Sequence, residues 1–119
     1  MGAKTYKELI VWQKSMALAR EIYRASALLP KEERYGLQSQ MRRSAVSVPS
    51  NIAEGNARRT RGEYLQFLGQ ARGSLAELET QILLCLDLGL LAEAKATLDP
   101  VEETGKLLNA LMSSLVPNP

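Results

Sequence analysis

Arginine carries most of the chemistry available to this chain. Arg42 and Arg43 form one pair, and Arg58, Arg59 and Arg61 crowd a short segment further along. A guanidinium presents a planar fork of N–H donors that matches phosphate oxygens. Five arginines with few local acids therefore suit contact with a nucleic-acid backbone. Tyr35 and Tyr64 are candidate stacking partners, although they are not interleaved with basic residues as in dedicated RNA-binding modules. The same arginines have other uses. Near a helix C-terminus they complement the helix dipole with no ligand at all, and on a surface they could meet an acidic partner or the acidic last helix of a neighbouring copy.

A second polar set is Ser47, Asn51 and Glu54 in one segment with Arg72, Ser74 and Glu77 in the next. If the two segments are antiparallel helices, Glu54 and Arg72 could approach. A buried pair of that kind needs good geometry and further hydrogen bonds to offset desolvation. The expectation is a structural network that fixes helix register or a subunit contact; the alternative is a solvated polar face.

Other chemistry lacks its parts. There is no histidine, which removes histidine acid–base catalysis, Ser-His-Asp triads and most zinc sites. No glycine loop for phosphates and no dinucleotide fingerprint is present. Glu77 and Glu79 face different sides, and the Glu-x-x-His motif of bundle di-iron sites is missing. The expectation is a protein that is not an enzyme and holds no cofactor and no metal.

Helical spacing must position these residues. The first helix is expected over Tyr6–Leu28, with Leu9, Trp12, Met16, Ala19 and Tyr23 on one apolar stripe and Val11, Ser15, Leu18, Ile22 and Ala25 on another. That face is wide enough for more than one packing partner, and Trp12 reads as a core or interface anchor. Leu29-Pro30 ends the helix. The second is expected over Lys31–Ala57, with Leu37, Met41, Ala45, Val48 and Ile52 inward, a bend at Pro49, and Gly55 closing it in a left-handed conformation. Gln40, Ser44, Ser47, Asn51 and Glu54 form its second, polar stripe. Thr60 to Glu63 is a capping box opening a third helix, Gly62–Leu88, whose Tyr64, Leu68, Ala71, Leu75, Leu78, Ile82 and Cys85 keep heptad spacing. Gly69 and Gly73, followed by Ala76, predict a close neighbouring backbone or a bulky side chain across the gap. Gly89 ends this helix. The fourth is expected over Leu91–Leu115 as one bent helix through Pro100, with Leu91, Ala94, Leu98, Val101, Gly105, Leu108, Met112 and Leu115 in register.

At 119 residues and 45% apolar content, one domain covering residues 1–119 is expected, all-α and built as an up-down-up-down antiparallel four-helix bundle. The longest apolar run, Ile82–Leu86, is too short for a membrane span, and the N-terminal residues show no secretory pattern. Lone Cys85 on an apolar stripe reads as a small buried hydrophobe, so a cytoplasmic, disulfide-free protein is expected. The net charge of +2 hides an asymmetry: residues 1–75 carry +7 and residues 76–119 carry −5. A basic side facing an acidic partner or another copy is one reading, and ordinary variation among solvent faces is the other.

Trp12-Gln13-Lys14, the run Leu29 to Leu37, the run Gln40 to Gly55 and Ala71 to Leu78 resemble the 23S rRNA intervening-sequence protein family over residues 7–115. Pro49 and Pro100 depart from a straight-helix version of that pattern. The resemblance implies a four-helix bundle assembled as a ring-shaped homopentamer. It also implies kinship with accessory proteins of diversity-generating retroelements, which bind a reverse transcriptase and its RNA. Two functions follow as expectations. One is a non-enzymatic, RNA-binding oligomeric scaffold using Arg42, Arg43, Arg58, Arg59 and Arg61. The other is a protein–protein adaptor, such as a reverse-transcriptase accessory protein, with no direct RNA contact.

Overall fold

The computed structural model describes residues 5–93 and 95–117, and within them four α-helices follow one another: α1 Ile10–Ser26, α2 Leu37–Asn56, α3 Arg61–Asp87 and α4 Lys95–Leu115. Each packs on its neighbours in sequence and α4 returns to α1, and among the described residues the backbones do not approach closely across either diagonal. The direction alternates. Asn56 lies by Tyr64, Ser47 by Ser74 and Met41 by Cys85, so α2 and α3 separate evenly from their turn. Gly105 lies by Leu75 and Arg72 by Asn109, so α4 runs against α3. The bundle measures 47 × 23 × 20 Å.

Apolar periodicity explains the core. Val11, Leu18, Ile22 and Ala25 of α1, Met41, Ala45, Val48 and Ile52 of α2, and Leu68, Ala71, Leu75, Leu78, Ile82 and Cys85 of α3 are all buried. Burial pushes the Cys85 thiol up from its ordinary range, aided by the negative charge of Glu33. On α4 the innermost line is Thr97, Val101, Thr104 and Leu108, while Leu98, Gly105, Met112 and Leu115 sit only part-way in and Ala94 lies outside the described residues. Thr104 therefore buries a hydroxyl, and that Oγ1 has no hydrogen-bond partner among the described residues. An unsatisfied buried hydroxyl costs about 1–3 kcal/mol. Thr104→Val, of the same shape, is expected to raise the melting temperature by roughly 5 °C in a thermal melt, since about 1 kcal/mol moves a domain of this size that far.

Helix punctuation is local, and the boundaries shift where a local bond competes. The first segment starts with a short 3-10 turn, Tyr6–Glu8, capped by Thr5, and extended Leu9 separates it from α1. The second does not run from Lys31. A 3-10 turn at Lys31–Glu33 leads to Gly36, where α2 begins, because the Glu33 carboxylate accepts the Leu37 N–H at 3.2 Å in place of a cap. A Cβ on Gly36 would fall 2.9 Å from that same carboxylate oxygen. Both helices α2 and α4 continue through their prolines. The Thr60 hydroxyl accepts the Glu63 N–H at 3.1 Å and opens α3.

Gly55 does not end α2 in a left-handed conformation. Among the described residues the one positive φ belongs to Gly89, at 72°. There Leu90 N–H reaches Cys85 O at 2.8 Å and Gly89 N–H reaches Leu86 O at 3.1 Å, the paired bonds of a Schellman stop. Gly55 instead lies buried inside α2, where a Cβ would meet the Phe67 Cβ at 2.9 Å and the Tyr64 carbonyl at 3.2 Å. The close helix approach expected at Gly69 and Gly73 occurs here. Those two glycines face open space, with nothing within 4 Å of an added Cβ.

Candidate nucleic-acid interface

The arginines divide into two sites at opposite ends of α2. From Arg43 to Asn56 the helix rises about 20 Å. Glu54 stands eleven residues after Arg43, nearly the same angular position on α2, so a carboxylate interrupts the face between the two groups.

At the α2–α3 turn, Arg58 is already engaged. Its Nη2 donates to Glu54 Oε1 at 2.9 Å, and its guanidinium lies 4.6 Å from the Phe67 ring centroid. Arg59 and Arg61 are exposed and make no ion pair among the described residues. Tyr64, expected as a possible stacking partner, is half-buried and accepts a hydrogen bond from Asn56 Nδ2 at 3.2 Å, so its ring belongs to the helix contact.

At the other end, Arg42 is held in place. Its Nε donates to Ser26 Oγ at 2.9 Å, its Nη2 donates to the Tyr23 carbonyl at 3.2 Å, and its guanidinium lies 4.6 Å from the Tyr23 ring centroid. Arg42 thus ties α2 to the end of α1 and fixes one wall of a groove of about 640 Å³. The groove is lined by Tyr23, Arg34, Tyr35, Gln38, Arg42 and Arg43, among others, and no carboxylate lines it. Arg43 is exposed at its edge. Arg34 and Tyr23 are the residues that the arginine clustering missed. The available signal was Arg34-Tyr35-Gly36, four residues past the Pro30 break, where a turn holds the Arg34 and Tyr35 side chains in solvent.

The second polar set comes together only in part. Asn51 Nδ2 donates to both the Ser47 carbonyl and Ser47 Oγ at 2.9 Å, and Ser47 Oγ lies 2.7 Å from Ser74 Oγ across the α2–α3 interface. Because Ser47 Oγ accepts from Asn51, its own proton is available to Ser74. Glu54 and Arg72 do not meet. Glu54 turns to Arg58, and Arg72 Nη1 donates to Asn109 Oδ1 of α4 at 3.4 Å. Glu77 is exposed on the rim of a small polar groove with Gln40, Arg43, Ser44 and Gln81.

A third surface is apolar. Trp12, Met16 and Ala19 of α1 face Pro49 and Ala53 of α2 across a groove of about 630 Å³, and Tyr6 packs edge-on against Trp12 with ring centroids 5.3 Å apart. This is the first apolar stripe of α1, left partly uncovered while the second fills the core. On α3, Leu83 and Leu84 are exposed, as is Leu88 just beyond the helix.

The model of the 23S rRNA-intervening sequence protein family matches residues 7–110. The chain belongs to that family. A solved structure from Bacteroides thetaiotaomicron, of a protein with unknown function from the S23 ribosomal protein family, is similar with a TM-score of 0.80. It is 22% identical, covering 87% of this chain and 96% of that one, a likeness that speaks for the fold. No curated protein matches the chain. No helix among the described residues is long and apolar enough to cross a membrane.

Proposed function

We propose that this protein is a non-enzymatic, self-associating RNA-binding scaffold of the cytoplasm. The observation that carries the reading is the groove at the start of α2, where three arginines and two tyrosines line one concavity with no carboxylate among them. Arg43, Arg59 and Arg61, exposed and without ion pairs among the described residues, are the phosphate contacts of the set, joined by Arg34. Arg42 and Arg58, bound to their own chain, shape the surface instead.

Self-association, as a ring of identical subunits and a pentamer by family resemblance, draws support from apolar surface left over after the bundle is built. The Trp12–Met16–Pro49 groove and the exposed Leu83 and Leu84 lie on helices whose other faces already fill the core. A helix apolar on more than one side gains from a second packing partner. A ring repeats the basic groove around its axis, so weak phosphate contacts add as avidity.

The test is binding of a structured RNA across a salt series, with mass by light scattering on the same samples. Binding that weakens steeply with salt at a constant mass, several times the 13.1 kDa of one chain, is expected. Absence of binding at low salt would leave the rival reading, a protein adaptor such as a reverse-transcriptase accessory subunit, with its arginines directed at protein.

A further inference from the structure

We propose that the groove at the start of α2 takes a single-stranded stretch of RNA, stacking an unpaired base on Tyr35 with the flanking phosphates on Arg34 and Arg43. This rests on the RNA-binding reading and narrows it to one conformation of RNA and one end of the bundle.

Tyr35 is 89% exposed, and its one ring contact among the described residues is the Arg34 guanidinium, 5.9 Å from the centroid. It contributes nothing to the core. Yet the backbone beneath it is firmly held. Glu33 N–H reaches Pro30 O at 2.9 Å, Arg34 N–H reaches Lys31 O at 3.1 Å and Gly36 N–H reaches Glu33 O at 3.0 Å. The Glu33 side chain then secures the first N–H of α2. A turn tied on both sides of Tyr35, at Arg34 and at Gly36, presents an aromatic face with little backbone freedom left to lose on binding, which is what a stacking platform requires.

The surroundings fit a nucleotide. The groove beside Tyr35 is of small-ligand size. Gln38 also lines it, but its amide Nε2 is engaged with the Ser26 carbonyl at 2.9 Å. Arg43 stands at its edge, and Arg42 is fixed over Tyr23 as the wall. An unpaired base exposes a π-face that a tyrosine ring can cover. A duplex keeps its bases stacked on one another and would meet only the arginines. The Arg58–Arg61 end offers no comparable ring, because Phe67 lies under Arg58 and Tyr64 packs in the helix contact.

The experiment measures affinity by fluorescence anisotropy for an oligouridine RNA and for an RNA duplex of equal length. It compares the unaltered protein with Tyr35→Ala and Tyr35→Phe. Tyr35→Ala is expected to weaken oligouridine binding roughly ten-fold and to leave duplex binding unchanged, while Tyr35→Phe keeps both. Tyr35 touches no core residue, so its loss leaves the fold intact, which a thermal melt checks. Oligouridine binding that survives Tyr35→Ala within two-fold, or an equal loss on duplex, would overturn the stacking site and leave the RNA-binding scaffold standing. Absence of binding to either RNA at low salt would overturn both.

Discussion

Gly55→Val should lower the melting temperature by roughly 10–20 °C, the largest loss expected from any single change on the α2–α3 contact. Helix propensity alone argues the other way, since glycine inside a helix is about 1 kcal/mol worse than alanine and also worse than valine. Packing reverses the sign. A Cβ at residue 55 would lie 2.9 Å from the Phe67 Cβ and 3.2 Å from the Tyr64 carbonyl, and neither is the free end of a flexible side chain. The helices would have to move apart along the whole interface that holds Ser47 against Ser74. Overpacking of this kind costs typically about 1–3 kcal/mol and more when backbone must shift. Gly73→Ala is the matched control. Nothing lies within 4 Å of its Cβ position, so it should stabilise one subunit by about 0.5–1 kcal/mol. Equal destabilisation by both changes would defeat the explanation. A fall in oligomeric mass with Gly73→Ala would instead place that face of α3 against another subunit.

The second large effect is on RNA affinity. Removing Arg34 and Arg43 together should weaken binding about 30-fold at 0.1 M salt and flatten the log–log salt dependence by about 1.4–1.8, because each phosphate contact releases close to one counterion. Arg59→Ala with Arg61→Ala should cost less when the ligand is single-stranded, since no aromatic face accompanies them at that end. Arg42→Ala should behave differently again. Its guanidinium is committed to Ser26 and the Tyr23 carbonyl, so its loss should lower thermal stability as well as affinity. If Arg34 and Arg43 could both be removed with no change in the salt slope, the groove would not be the phosphate site.

What the sequence by itself determined is what neighbours three or four residues apart can encode. The buried line from Leu68 to Cys85 follows from heptad spacing, the Thr60 cap from a hydroxyl within reach of an N–H three residues on, and the Gly89 stop from the residue that tolerates positive φ. Those interactions close within one helix turn, so they can be read along the chain. The partners across helices could not. Glu54 pairs with Arg58, four residues on in the turn that follows α2, rather than with Arg72 of α3, and Arg72 reaches α4, because the angular setting of α2 against α3 decides which polar side chains face each other. That setting is governed by the near contact at Gly55, a residue that looked like a helix end. The same holds for the candidate site. The arginines were visible as a list, but their division by Glu54, the restraint of Arg42 and Arg58 by their own chain, and the groove shared by Arg34, Tyr35 and Arg43 exist only once α1 and α2 are packed.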